Sequence, residues 1–184
     1  MTAPGPPTGS HAPAADGAVV GRTQEPGPVV ALSGEETAAL RDELIALCAQ
    51  AFCGPPWHDS PRGALRTVRR LTTRADGQPG FRCVAAFAPD GALAGFAAGW
   101  PDDALSGAEE AFELAELVVA PAHQGRGLGR ALHDALLATA PAPRLLMTLD
   151  VPELRGRYER WGWSVAERRR PEKDPRDFVV MRHP

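Results

Sequence analysis

A run of small and basic residues, Gln124-Gly125-Arg126-Gly127-Leu128-Gly129-Arg130, sits between an apolar strand-like segment and a helix-like one. Three glycines at alternate positions leave backbone N–H groups approachable, with no Cβ to hold a ligand away. At a helix start those N–H groups have no acceptor of their own, and the helix dipole adds partial positive charge. The chemistry this suits is capture of an anion, above all a phosphate. Arg126 and Arg130 add guanidinium groups that fit further phosphate oxygens. Neither common nucleotide fingerprint is present: position 130 is Arg, so G-x-G-x-x-G fails, and no Gly-Lys-Ser/Thr occurs.

Other side chains could move protons. Glu113 and Glu116 lie on the segment leading into the run, and Tyr158 is the one tyrosine of the chain. A carboxylate of this kind can accept a proton from a bound group. A phenol, with a pKa of ~10, can donate one. Strand alternation puts Glu113 and Glu116, three apart, on opposite faces. Either is as readily a solvated strand carboxylate as a base, and Tyr158 is alternatively a packing aromatic. Cys53 has no His or acid placed to make it a nucleophile. Cys48 and Cys83 read as small buried apolar residues, and three cysteines without a CxxC pair argue against a metal site or disulfide framework. His123 is expected in a solvent-facing loop, and His133 on a helix among polar neighbours.

The elements that must position these groups follow from periodicity and punctuation. Residues 1–28 hold six Pro and five Gly and few apolar residues, the composition of a disordered tail. A folded domain is expected over 29–184. Val29–Leu32 reads as a short strand, and Ser33 with Glu36 forms a capping-box pattern. One helix is predicted through Leu40, Leu44, Leu47 and Ala51, stopped by Gly54-Pro55-Pro56. Ser60-Pro61 opens a second, through Leu65, Val68 and Leu71. Phe81–Phe87 and Leu93–Trp100 form a hairpin about Pro89-Asp90-Gly91. Ala, Gly and Phe in its second strand imply close backbone approach. A strand over 111–120, a helix over about 127–140, a buried strand over 144–149 and a short helix over 153–161 follow. Two last strands, 163–167 and 178–181, are expected to pair. This order indicates a mixed α/β domain with a sheet flanked by helices.

The chain is 184 residues long, enough for one ordinary domain, and 43% hydrophobic, which is enough for a core. Nineteen Arg and one Lys against 23 acidic residues give a net charge of −3, which argues against a nucleic-acid binder that relies on bulk positive charge. No apolar run reaches the ~20 residues that span a bilayer, so no membrane partner is expected. Without a basic and apolar leader pattern, the expected setting is the cytoplasm.

Gln124, Gly127 and Gly129 match Q/R-x-x-G-x-G/A behind a strand reading Leu-Val-Val-Ala-Pro, and Arg157-Tyr158-Glu159-Arg160-Trp161-Gly162-Trp163 is similar to a LYERLGF segment. Together they resemble the GNAT superfamily of acyl-CoA-dependent N-acetyltransferases, in element order from about residue 29 to 184. The resemblance implies a mostly antiparallel mixed sheet of six to seven strands with about four helices, splayed at the cofactor site. It implies acetyl-CoA as co-substrate and no metal. The CoA pyrophosphate would rest on the turn from Gln124 to Arg130, and Leu117, Val118 and Val119 would offer backbone groups to the pantetheine arm. A backbone N–H near Val118 would polarise the acetyl carbonyl. Glu113 or Glu116 would be the base and Tyr158 the acid toward the leaving sulfur. Asp150 stands where many members carry Asn, and Arg157 where an apolar residue is usual.

The acceptor is expected to be a primary amine of a small molecule or peptide. Pro55-Pro56-Trp57-His58-Asp59 resembles a run in bacterial members that include aminoglycoside-acetylating enzymes, making Trp57, His58 and Asp59 candidate substrate contacts. Asp102, Asp103, Glu109 and Glu110 would make an acidic mouth that attracts a cation. A catalytically silent acyl-CoA-binding regulatory module is the alternative, and a homodimer is left open.

Overall fold

Residues 25–107, 110–172 and 174–184 are described by the computed structural model. The expected 1–28 tail lies, as far as residue 24, outside them. Gly27 donates its N–H to the Phe87 carbonyl at 2.8 Å, so backbone pairing begins before Val29. The strands are β1 (Val30–Leu32), β2 (Arg82–Phe87), β3 (Leu93–Asp102), β4 (Ala111–Val119), β5 (Arg144–Leu149), β6 (Ser164–Arg169) and β7 (Phe178–His183). The helices are α1 (Gly34–Ala39), α2 (Arg41–Phe52), α3 (Pro61–Ala75), α4 (Leu128–Leu137) and α5 (Pro152–Arg160).

Ser33 starts α1 through a complete capping box: its hydroxyl accepts the Glu36 N–H at 3.1 Å, and the Glu36 carboxylate accepts the Ser33 N–H at 2.7 Å. The single helix expected through Ala51 is broken at Leu40, giving α1 and α2. Packing explains the break. Gly34 lies so close to the end of α3 that a Cβ there would stand 2.1 Å from the Ala75 carbonyl oxygen, which pins α1 in place. The chain then turns at Leu40 and directs Leu44, Leu47 and Cys48 of α2 into the core. Ser60 caps α3, with its hydroxyl accepting from the Gly63 N–H.

The strands form one seven-stranded sheet in the order β1-β2-β3-β4-β5-β7-β6, antiparallel throughout except for β4 with β5. One face packs Leu47, Val68 and Leu71 of α2 and α3 on Phe96, Trp100 and Val118. The other packs Leu128, Leu132 and Leu136 of α4 on Phe112, Leu146 and Val179. Both faces are therefore covered, as apolar strands with little polar alternation require. No helix among the described residues is long and apolar enough to cross a membrane.

Two irregularities in β4 matter most. First, β4 and β5 pair only at Phe112 with Arg144 and Glu113 with Leu145, and beyond Glu113 the two strands part. β5 is held instead by β7 along its whole length. Second, the β3–β4 register shifts between Ala98, opposite Glu116, and Gly99, opposite Leu114, so Ala115 is an extra residue. A bulge of this kind reverses the alternation of the strand. Glu113 and Glu116 consequently share the face toward α3 rather than opposite faces, as strand regularity predicted.

The close approach that β3 composition implied is made by β4. A Cβ on Gly99 would lie 2.4 Å from the Glu113 carbonyl oxygen and 2.7 Å from the Phe112 ring, where the bulge brings the strands together. Gly99→Val is expected to destabilise the domain by about 1–3 kcal/mol through overpacking. Gly54→Ala, where nothing lies within 4 Å of the added methyl, should stay within about 0.5 kcal/mol. Urea denaturation midpoints measure both, and equal midpoints would show that β4 does not need Gly99.

Candidate functional site

The parted strands make a cleft whose mouth is the glycine run. After β4 a short 3₁₀ turn, Pro121–His123, leads into Gln124, Gly125 and Arg126, and Gly127 caps α4. Gly125 and Gly127 have φ of 74° and 86°, the left-handed region in which a side chain is strained. Nothing lies within 4 Å of either Cβ position, so conformation rather than crowding demands glycine. Gly127 supplies no side-chain cap, and the first helical bond runs from the Ala131 N–H to the Gly127 carbonyl at 3.0 Å. The N–H groups of Leu128, Gly129 and Arg130 thus have no acceptor within the helix. Leu128 points its side chain into the core and contributes its backbone alone.

Backbone alternation fixes which β4 groups face the cleft. Ala120 donates to the Ala94 carbonyl of β3, at 2.9 Å. Val118, two residues earlier on the same regular stretch, turns its N–H and C=O toward β3 as well. Leu117 and Val119 therefore present theirs to the cleft, and Val118 does not, a correction to the sequence expectation. The Val119 carbonyl is already engaged, accepting from Gln124 Nε2 at 2.9 Å. This bond ties the motif glutamine to the end of β4.

On the α3 face, Arg70 gathers both carboxylates. Its Nη2 lies 3.0 Å from Glu116 Oε1 and its Nη1 3.7 Å from Glu113 Oε1. The guanidinium also sits over the Trp100 ring, 5.2 Å from its centroid, beside Arg74 at 5.6 Å. Burial pushes the Glu116 carboxyl above the usual carboxylate range, against the pull of Arg70. Glu113 is raised by the same cause, with Arg70 again opposing. A buried carboxylate of raised basicity held by one half-exposed arginine is a group able to take a proton. Arg70 and Trp100 escaped sequence reasoning because only the bulge brings both glutamates to them.

On the far wall, Tyr158 of α5 packs edge-on to Trp161 and Trp163, with ring centroids 5.6 and 6.2 Å away. Burial raises its phenol to about 12, with Arg157 opposing and the Glu116 carboxylate adding to the rise. The phenol stays protonated across the neutral range and senses Glu116 across the cleft. Asp150 accepts from Arg155 and, at 3.0 Å, from Arg168, so its carboxylate joins α5 to β6.

The remaining candidates divide. Trp57 packs edge-on against Phe52, 5.5 Å between centroids, and joins Leu149, Leu154 and Phe178. Arg176 holds its carbonyl at 2.7 Å. His58 is exposed, at φ 45°. Asp59 accepts from the Ser60 N–H at 2.7 Å and lies over Gly63 at the start of α3, the position of a helix-terminal carboxylate. Asp102 is paired with Arg74 at 3.0 Å, while Asp103 and Glu110 border an open hollow beside it. Glu109 lies outside the described residues. Both histidines differ from expectation. His123 is 8% exposed and His133 1%, the latter because Trp161, Trp163 and His183 pack against its ring. All three cysteines are free; burial raises the Cys83 thiol to about 11 and Cys48 further still, while Cys53 is exposed. Among the described residues no group of three or more His, Cys, Asp or Glu could hold a metal ion.

No curated protein matches the chain in sequence. Solved structures do match in fold. A GNAT-family protein from Desulfovibrio desulfuricans superposes with a TM-score of 0.59 at 22% identity, over 84% of this chain and 97% of its own. A Corynebacterium glutamicum protein described as histone acetyltransferase HPA2 and related acetyltransferase gives 0.65 at 16% identity, over 88% and 97%. An acetyltransferase from Thermus thermophilus gives 0.52 at 15% identity, over 88% and 99%. The profile of the acetyltransferase (GNAT) family matches residues 43–163, from α2 through the glycine run and the cleft to the turn after α5. With that match across most of the folded chain, the protein belongs to the GNAT acetyltransferase family.

Proposed function

We propose that the protein is an N-acetyltransferase that moves an acetyl group from acetyl-CoA to a primary amine of a small molecule or peptide, by direct attack in a ternary complex. The observation that carries this is the parting of β4 from β5 beside the glycine turn that opens α4, with buried Glu113 and Glu116 held by Arg70 and Tyr158 packed on Trp161. In this reading the turn binds an anion, a glutamate accepts a proton and the phenol donates one. The residues present fit the cofactor: N–H groups at the start of α4 that have no acceptor within the helix suit a pyrophosphate, and the cleft-facing Leu117 and Val119 backbone suits an amide-bearing arm. Acetyl-CoA supplies an acetyl group activated as a thioester.

The chain's own residues do the rest. The turn from Gln124 to Arg130 holds phosphate, with Arg126 and Arg130 as added cations. Glu116, or Glu113 beside it, takes the proton that an ammonium must lose before its nitrogen can form the amide bond. Tyr158 gives its proton to the sulfur as the carbon–sulfur bond breaks and regains one from the amide nitrogen. Within the ion-paired cluster three carboxylates, Glu113, Glu116 and Asp102, meet two guanidinium groups, Arg70 and Arg74, which favours a cationic acceptor there. Trp57 and the exposed His58 border the acceptor side in this reading, in a cytoplasmic setting.

Thermal unfolding with and without acetyl-CoA tests the cofactor. At about 100 times its dissociation constant it should add about 2.7 kcal/mol, and Gly127→Glu should abolish that shift while keeping the fold. An equal shift in the variant would remove the turn from the site. Thiol release with a panel of amines tests transfer, and cofactor binding without release for any amine would instead support the regulatory module. Tyr158→Phe should lower kcat about a hundredfold with little change in cofactor affinity; unchanged kcat would remove the acid role. Arg70 opposes the rise in Glu116, so Arg70→Met should move the acid limb of kcat/KM to higher pH. An unmoved limb would mean that Glu116 is not the base.

A further inference from the structure

His133 is buried in α4 behind the glycine run, and its surroundings form a closed circuit. Trp163 donates its Nε1–H to His133 Nε2 at 2.8 Å. Indole N–H is a donor only, so Nε2 carries the lone pair and the ring proton sits on Nδ1. That nitrogen lies 2.7 Å from Asp134 Oδ1, and Asp134 Oδ2 accepts from Arg130 Nε at 2.6 Å. The Arg130 guanidinium stands over Trp161, 5.6 Å from its centroid, and Trp161 lies 4.9 Å from the His133 ring. A Cβ on Gly129 would meet Trp161 at 3.8 Å. The same two tryptophans are the walls against which Tyr158 rests.

We propose that His133 is a positioning residue that joins the anion-binding turn to the tyrosine wall, so that proton uptake by His133 weakens the hold on acetyl-CoA. The inference rests on the acetyl-CoA reading given above. A proton on Nε2 would place N–H against the Trp163 N–H and break that bond, releasing the Trp161–Trp163 corner from α4. Burial lowers the His133 pKa, so the ring is neutral at pH 7. The charged and titratable groups facing it are Asp134 and Arg130 of α4 and His183 of β7, whose ring is 6.1 Å away. Asp134 favours the proton, and Arg130 and His183 oppose it. Acidification below the ordinary histidine range is what reaches it.

The test is acetyl-CoA affinity by calorimetry between about pH 5 and pH 8 on the full chain and three variants, with imidazole NMR titration alongside. His133→Leu should weaken binding about tenfold, the scale of one charge-assisted hydrogen bond, while still unfolding cooperatively. His133→Gln keeps an acceptor for Trp163, so it should bind nearly as well at pH 8 and lose the extra weakening that wild type shows on acidification. Trp163→Phe removes the donor that opposes the proton and should shift both the His133 titration and the weakening to higher pH. Titration of the ligand's own phosphates is common to all four proteins and cancels in the comparison. Parallel pH profiles for wild type and His133→Gln, or an unmoved His133 titration in Trp163→Phe, would overturn this inference alone. Failure of wild type to bind acetyl-CoA at any pH would overturn the cofactor reading and this inference with it.

Discussion

Backbone N–H and C=O groups taken from water need partners, and the middle of β4 lacks them on one side. Two residue pairs join it to β5, and from Leu114 onward the partner strand has moved away to pair with β7. A parallel pair this short could not hold on its own. It is held because α4 packs across the sheet on one face and α2 and α3 on the other, through two clusters that meet at β3 and β4. The opening therefore costs ladder bonds locally and is stabilised by burial elsewhere. The mouth turn, the Gln124 bond to Val119 and the tyrosine wall are all placed relative to that opening.

The bulge at Ala115 is the second consequence of crowding at this point. Gly99 lets β4 come within a distance that no side chain permits, and the extra residue is taken up where the two strands touch. One displaced residue then changes the electrostatics of the site. Two glutamates that a regular strand would separate face a single arginine, and both, being buried, keep carboxyls of raised basicity beside a cation. Removing either charge from such a group leaves the other exposed to an unfavourable environment, so the pair is expected to respond as a unit.

Much of this was legible in residue order. Ser33 with Glu36, Ser60 with Pro61, and the glycine run each carry a local reason for where an element begins, and each element starts where that reason puts it. The resemblance to acetyltransferases rested on two short segments, and the family match spans both. What escaped depended on contacts distant in sequence. Leu40 breaks a helix because Gly34 meets Ala75; Glu113 and Glu116 share a face because Gly99 meets Glu113; His133 is buried because Trp163, thirty residues later, donates to it. Asp59 accepts from the Ser60 N–H over the start of α3, a placement that periodicity does not show. Periodicity reads one element at a time, and these positions are set by two.

Residue-resolved amide exchange, with and without acetyl-CoA, reports on the opening directly. The N–H groups of Leu117 and Val119 face the cleft and that of Val118 is turned to β3. The account predicts that Leu117 and Val119 exchange readily in the free protein and become protected with acetyl-CoA, together with the amides from Leu128 to Arg130, while Val118 is protected in both states. Protection that appears elsewhere, or a Val118 amide that is open in the free protein and closes with the cofactor, would contradict it.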